Sequence, residues 1–388
     1  MTVQQNTDHI QTTHIGSLPR PHKLLDLLKA KYSGQGYDEQ EFNSVLAQAV
    51  RDCVRKQVEC GIEIVTDGEY SKPGFFTYIR ERFDGFESRP DQKLQLFQQE
   101  VSAFPEYYAQ YFKEAMMGGA ILPIVPVVCT GPVKYKGEAK LTIDIANVKA
   151  AAAAVGVPDH HVFLPATAPS GVGINEYYKT DEEYFHALAA ELNKEYRAII
   201  EAGILLQVDD PFLSDIFVEP GLDDKQKRRR AEIYVEATNA ALKGIPPERV
   251  RFHTCYGINE GPRIHEANLP QIIDHVLKIN AGSYSFEAAN PRHEHEYHLF
   301  EQVKVPDGKV LCPGVITHAS NIVEHPEWIA ERLIRYANLV GRENVMAGAD
   351  CGFSSQALYK TEVHPTVVWE KFKAMRQGAD IATKKLWG

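Results

Sequence analysis

Tyr196-Arg197-Ala198-Ile199-Ile200-Glu201-Ala202-Gly203 runs directly into Ile204-Leu205-Leu206-Gln207-Val208-Asp209-Asp210-Pro211. The first half reads as the last turns of a helix stopped at Gly203, because glycine tolerates the left-handed backbone that closes a helix. The second half is a nearly continuous apolar run that ends in two carboxylates. Such a run predicts a strand buried on both faces, as in a parallel sheet covered by helices. The unit occurs earlier as well, where Val54-Arg55-Lys56-Gln57-Val58-Glu59-Cys60-Gly61 leads into Ile62-Glu63-Ile64-Val65-Thr66-Asp67-Gly68-Glu69. Candidate strands end near Ser17, Glu69, Pro165, Asp209, Cys255, Glu287, Gly314 and Cys351. Eight parallel strands alternating with helices predict an α/β fold of the (β/α)8 TIM-barrel kind. The apolar stretch 124–131 is a further strand, assigned to an excursion at about 85–155 before the third barrel strand of a single domain spanning 1–388. A doubly wound open sheet is the other fold with this rhythm, but neither G-x-G-x-x-G nor G-x-x-x-x-G-K-[ST] occurs in the sequence.

Composition narrows the function classes. With 388 residues, 44% of them hydrophobic and 24% charged, the chain has material for a sizeable core. The formal net charge of -10 argues against non-specific nucleic-acid binding, which rewards basic surfaces. The basic run Lys225-Gln226-Lys227-Arg228-Arg229-Arg230 follows Asp223-Asp224 and reads as a solvated helix face. No apolar run approaches the roughly 18 residues of a membrane span, and the first residues lack the basic and apolar regions of a signal peptide, so a cytoplasmic protein is expected. The cysteines at 53, 60, 129, 255, 312 and 351 show no disulfide-like spacing. In a reducing compartment, metal binding or packing is the expected role for such thiols.

Polar residues fall at the strand ends, which is where barrel enzymes assemble their sites. His253 and Cys255 are two apart in a strand and share a face. Glu287 and Cys351, at later strand ends, complete a set of one imidazole, two thiols and a carboxylate. That mixture suits zinc rather than magnesium or calcium, which prefer all-oxygen shells. A carboxylate ligand is easier to displace than a third thiolate, so a catalytic Zn2+ is expected; a closed structural ion is the rival reading. Asp209 and Glu69 are candidates for substrate binding, with helix capping as the alternative for the Asp209-Asp210 pair. His318, just past the apolar run 314–317, is a candidate proton carrier or equally a hydrogen-bonded loop histidine. His293 and His295 would diverge by about 200° on a helix and do not read as a second metal pair.

These residues carry a resemblance to the cobalamin-independent methionine synthase family, specifically its catalytic barrel. Five stretches bear it: Thr12-Thr13-His14-Ile15-Gly16-Ser17-Leu18-Pro19, Asp67-Gly68-Glu69, Gln207-Val208-Asp209-Asp210-Pro211, His253-Thr254-Cys255 and Asp350-Cys351-Gly352. The resemblance implies zinc on His253, Cys255, Glu287 and Cys351, a homocysteine-like thiol on Ile15, Ser17, Glu69 and Asp209, and a mechanistic histidine at His318. It further implies methyl transfer from a 5-methyltetrahydrofolate-type donor to the thiol, giving methionine, with Asp209 and His318 as catalytic residues. The chain departs from the family in carrying His14 where a small residue stands, in Asp209-Asp210 for an Asp-Glu pair, and in having no Trp in the segment 164–171 to stack on a folate. Phe286-Glu287-Ala288-Ala289-Asn290-Pro291-Arg292 looks as much like the single-barrel branch that includes epoxyalkane:coenzyme M transferase. That branch implies the alternative of adding an activated thiol to an epoxide. A barrel lyase needing no metal is a third reading. The expected partners are therefore a small thiol and a methyl or alkyl donor, with neither nucleic acid nor membrane and with a homo-oligomer left open.

Overall fold

Alternation along each central strand separates two cores. In the computed structural model, which describes residues 5–92, 96–114, 120–257 and 260–388, the strands are β1 (Phe83–Ser88), β2 (Val127–Tyr135), β3 (Phe163–Thr167), β4 (Ile174–Asn175), β5 (Leu205–Asp209), β6 (Val250–His253), β7 (Ser283–Phe286), β8 (Val310–Ile316) and β9 (Gly348–Ala349). β3, β5, β6, β7, β8 and β9 pair in that order, all in parallel. Leu164, Ala166, Leu206, Val208, Phe252, Tyr284 and Phe286 join the main core, which is shared with the helices. Their neighbours Phe163, Leu205, Val310 and Cys312 form a separate cluster with Ile64 and Met346 inside the curled sheet. Side chains that alternate between a helix-covered face and an enclosed face define a barrel.

Two short segments close the ring. Thr12 bridges Ala347 beside β9, and Val65 bridges Val162 at the foot of β3. Between them, the Glu63 and Ile64 N–H groups both donate to the Thr12 carbonyl, at 3.2 and 3.1 Å. These are the first and second barrel positions, and the expected strands ending near Ser17 and Glu69 are reduced there to single bridges. The reason is local. Two N–H groups converge on one carbonyl where a ladder would use alternate residues, and the chain then turns through Gly68 (φ 73°) and Glu69 (φ 58°). With these two segments the eight expected barrel positions are filled, and the chain forms an α/β barrel.

Helices that follow the strands cover the outside, among them Asp181–Glu201, Asp224–Ala241, Pro326–Val340 and Pro365–Trp387. The helix Asp181–Glu201 stops before Gly203 (φ 91°), whose N–H donates to the Ile200 carbonyl at 3.0 Å. The basic run lies on Asp224–Ala241, whose start is capped by Asp223 accepting from the Gln226 N–H at 2.8 Å. β1 and β2, between the second barrel position and β3, form a second small sheet with β4, which follows β3; β2 pairs antiparallel with β1 and in parallel with β4. Within the 85–155 excursion read from the sequence, residues 93–95 and 115–119 lie outside the described residues. Arg82 ties this region to the barrel, pairing with Asp144 of the helix Glu138–Ala154 and, at 3.1 Å, with Glu195 of Asp181–Glu201. Among the described residues no helix is long and apolar enough to cross a membrane.

Candidate metal and thiol site

Parallel register places the chemistry. Asp209 ends β5 opposite His253 of β6, and His253 lies opposite Ser285 of β7. Below this level a polar layer braces the barrel. Arg251 Nε donates to Gln207 Oε1 at 2.6 Å, and its other nitrogens reach Thr13 Oγ1 at 2.9 Å and the His14 carbonyl at 2.8 Å. Gln207 Nε2 donates in turn to the Ile15 carbonyl and, at 2.8 Å, to Asp209 Oδ1. The first barrel segment is thereby locked to β5 and β6 directly under the residues expected to act.

One cavity of about 40 Å³ is lined by Ile15, Ser17, Glu69, Asp209, His253, Cys255 and Cys351, together with Phe75 and Ser355. Of the expected site residues, Glu287 and His318 are not among its lining. On the sulfur side, the Cys351 thiol donates to Cys255 Sγ at 3.4 Å, and one donor atom from each of His253, Cys255 and Cys351 lies within 4.8 Å of the others. Neither ring nitrogen of His253 has a hydrogen-bond partner of good geometry among the described residues. An unsatisfied buried group costs about 1–3 kcal/mol, which a cation would offset. Burial pulls the His253 imidazole down to about 3, keeping it neutral as a ligand must be. The Cys351 hydrogen bond and burial push the Cys255 thiol up. A neutral imidazole beside paired thiols is a donor set that fits zinc.

Glu287 stands apart from these three. Its Oε1 accepts the Tyr256 N–H at 3.1 Å, and its Oε2 accepts from Arg263 Nη2 at 2.8 Å and Asn290 Nδ2 at 2.6 Å. One of its oxygens lies within 4.8 Å of donor atoms on His318 and Asp350, a second group able to hold a cation. Asp350 Oδ1 accepts the Ala288 and Ala289 N–H groups, both at 2.8 Å, and so fixes the turn after Glu287. Burial, reinforced by Glu287, raises the Asp350 carboxyl to about 7, and burial lowers His318 to about 3.

The carboxylate side is built around Glu69, which keeps a left-handed backbone (φ 58°). Asp67 Oδ1 accepts its N–H at 2.9 Å, and Arg20 donates to its carbonyl at 2.7 Å. Lys72 Nζ lies 3.5 Å from Glu69 Oε2. A bulky residue held against its backbone preference marks a position that its surroundings over-determine. Gly16 (φ 137°) permits the approach of the first segment, since a Cβ there would meet Pro165 Cγ at 2.6 Å and Glu69 Oε1 at 3.1 Å. The two aspartates divide the alternatives read from sequence. Asp209 lines the cavity, its carboxyl pushed well up by burial and then by Glu69, whereas Asp210 accepts from Ser170 Oγ at 2.6 Å and from the Leu213 N–H at 3.0 Å at the head of the helix Phe212–Val218.

His293 is buried. It stacks on Tyr256 with ring centroids 4.0 Å apart and bridges Glu296 and Glu266 at 2.9 and 3.1 Å, while His295 is exposed. Sequence reading did not find Arg20, Lys72, Ser355 or Arg263. The only signal for the first two was proximity to the Ser17 and Glu69 stretches, and Arg263 had none.

The family model described as "Cobalamin-independent synthase, Catalytic domain" matches residues 167–377. The chain belongs to the cobalamin-independent methionine synthase family. Among its relatives, the methionine synthase of Sulfolobus acidocaldarius is 24% identical over 347 residues, covering 88% of this chain and 85% of that protein. The methionine synthase of Thermococcus kodakarensis is 23% identical over 383 residues, covering 97% and 94%. Two solved structures share the fold. A B12-independent methionine synthase from Shewanella sp. W3-18-1, in complex with selenomethionine, superposes with a TM-score of 0.72 at 19% identity over 97% of this chain and 99% of that one. A putative vitamin-B12 independent methionine synthase from Listeria monocytogenes gives 0.68 at 20% identity over 99% of each chain. The matched residues 167–377 contain β5 to β9, and so the segments bearing Asp209, His253, Cys255, Glu287, His318 and Cys351.

Proposed function

We propose that this chain is a zinc-dependent thiol methyltransferase that moves a methyl group from a 5-methyltetrahydrofolate-type donor to homocysteine, giving methionine. The observation that carries the reading is the single cavity in which His253, Cys255 and Cys351 face Glu69 and Asp209. A thiol and an ammonium group on one small molecule would satisfy both sides at once. The relatives named above are methionine synthases, which favours an amino-acid thiol over the coenzyme M alternative; two carboxylates would repel a sulfonate.

His253, Cys255 and Cys351 would hold the zinc ion, with Glu287 as the fourth, exchangeable ligand. The chemistry supplied by zinc at such a site is conversion of a thiol, ordinarily of pKa about 8.5, into a nucleophilic thiolate. Glu69 and Asp209 bind the substrate ammonium by charge-assisted hydrogen bonds. Gln207 holds the Asp209 carboxylate in place, and Lys72 orients Glu69. Ile15, Ser17 and Phe75 close the cavity around the carbon chain and limit access of water. In the transfer a carbon–sulfur bond forms as the methyl–nitrogen bond of the donor breaks; its electron pair stays on nitrogen, which takes a proton. His318 lies outside the cavity lining but beside Asp350, whose carboxyl burial raises to about 7, and this pair is the route proposed for that proton.

The test is metal content of the purified protein, followed by homocysteine-dependent methionine formation. About one zinc per chain with methionine as product supports the reading. Activity only with coenzyme M and an epoxide, or full turnover without metal, would overturn it.

A further inference from the structure

The fourth expected ligand is held by a cation of the protein itself. Arg263 is buried, keeps a left-handed backbone (φ 58°), and divides its guanidinium between two carboxylates: Nη2 to Glu287 Oε2 at 2.8 Å and Nε to Glu266 Oε1 at 2.5 Å. Glu266 is shared in turn with His293, 3.1 Å away. In this arrangement no Glu287 oxygen joins the cluster made by His253, Cys255 and Cys351. A carboxylate with Arg263, Asn290 and the Tyr256 N–H as partners has a complete alternative to a metal bond. Guanidinium–carboxylate pairing is directional, and it is strong when buried.

We infer that Arg263 is a positioning residue that competes with the metal for Glu287, so that the carboxylate is shared between a metal-bound state and a parked state in which the fourth position is open to a substrate thiol. The inference rests on the proposed role of Glu287 as a ligand. Glu266 sets the strength of the competition, because it draws on the same guanidinium. Removing Arg263 frees Glu287 for the metal, and removing Glu266 leaves Arg263 to Glu287 alone. The two changes therefore shift metal affinity in opposite directions, which loss of packing at either position would not do.

The experiment is zinc affinity of the full chain, without thiol, by competition with a chromophoric chelator at fixed pH. Outer partners of metal ligands typically alter affinity 10–100-fold, so Arg263→Gln should bind zinc about tenfold more tightly and Glu266→Gln more weakly than the parent. Arg263→Lys, which keeps a charge, should return toward the parent value. Both shifts should vanish in a Glu287→Gln background. In the cobalt-loaded protein, Arg263→Gln should also change the visible absorption before any thiol is added. If Arg263→Gln binds zinc no more tightly than the parent, the inference is overturned; if that variant does not fold, unchanged affinity in Glu266→Gln overturns it equally. Glu287→Gln separates the two levels. Parent-like zinc binding by Glu287→Gln removes the ligand assignment and the inference together. Weakened binding there, with parent-like Arg263→Gln and Glu266→Gln, removes the inference alone.

Discussion

Asp209 and Asp210 are adjacent, both buried, and opposite in what they face. Asp210 spends its Oδ1 on Ser170 and on the Leu213 N–H, so Asp210→Ala should cost about 1 kcal/mol of stability, as loss of a helix-start acceptor does, and leave the thiol KM unchanged. Among the described residues Asp209 accepts from Gln207, and it lines the cavity with its other oxygen free of a protein donor there. A charge-assisted hydrogen bond contributes about 1.5–3 kcal/mol, so Asp209→Asn should raise the KM for homocysteine roughly tenfold to a hundredfold while zinc content stays at the parent level. Steady-state kinetics and metal analysis on the two variants check both statements. A similar contrast applies to sulfur: Cys351→Ser should strip the protein of tightly held zinc, whereas Cys129→Ser, in β2, should not. Retention of full zinc by Cys351→Ser would remove it from the ligand set.

Elements carry the second level of information, and it was unevenly legible. The strand ends at Asp209, Cys255, Glu287 and Cys351 could be read because each closes a short segment rich in apolar and aromatic residues and bears, at or beside its end, a ligand-type side chain. The first two barrel positions are single bridges, and no local pattern distinguishes a bridge from a strand; their place is set by distant partners such as Ala347 and Val162. Arg20, Lys72 and Arg263 were illegible for a related reason, since an isolated cation in a loop reads as solvated until the fold buries it. Arg82, which ends the helical turn Ile79–Arg82, joins the helix Glu138–Ala154 to Asp181–Glu201 in a way no local pattern announces. Its removal strands two buried carboxylates, so Arg82→Ala should lower unfolding free energy by roughly 3–5 kcal/mol in urea titration. The 3-10 segment Glu294–Glu301 depends on charge in a way that pH reveals. Burial works against protonated His293, but Glu266 and Glu296 prevail and raise it to about 9 from its ordinary 6.5. A raised folded value stabilises fully below about pH 6.5, and that contribution is lost as pH rises through about 9. Thermal midpoints of the parent should fall over this window by more than those of His293→Gln.

At the scale of the whole molecule the question is whether the metal builds the barrel or only uses it. The ring is closed by protein contacts alone: six paired parallel strands, two bridging segments, the Gln207–Arg251 layer across the interior, and an apolar cluster on the same enclosed face. None of these passes through His253, Cys255 or Cys351 side chains. A structural ion of a small domain behaves otherwise, because its binding free energy is the folding free energy and chelation unfolds the chain. Chelation of this protein should therefore leave helical circular dichroism unchanged and a single cooperative melt. The midpoint should be lowered only by the binding term, which grows as the logarithm of free zinc over its dissociation constant. Activity should return on adding zinc back, without a refolding step. Loss of the cooperative melt on chelation would place the ion in the architecture, and Glu287, held by Arg263 away from the sulfur ligands, would then have no reason to be exchangeable.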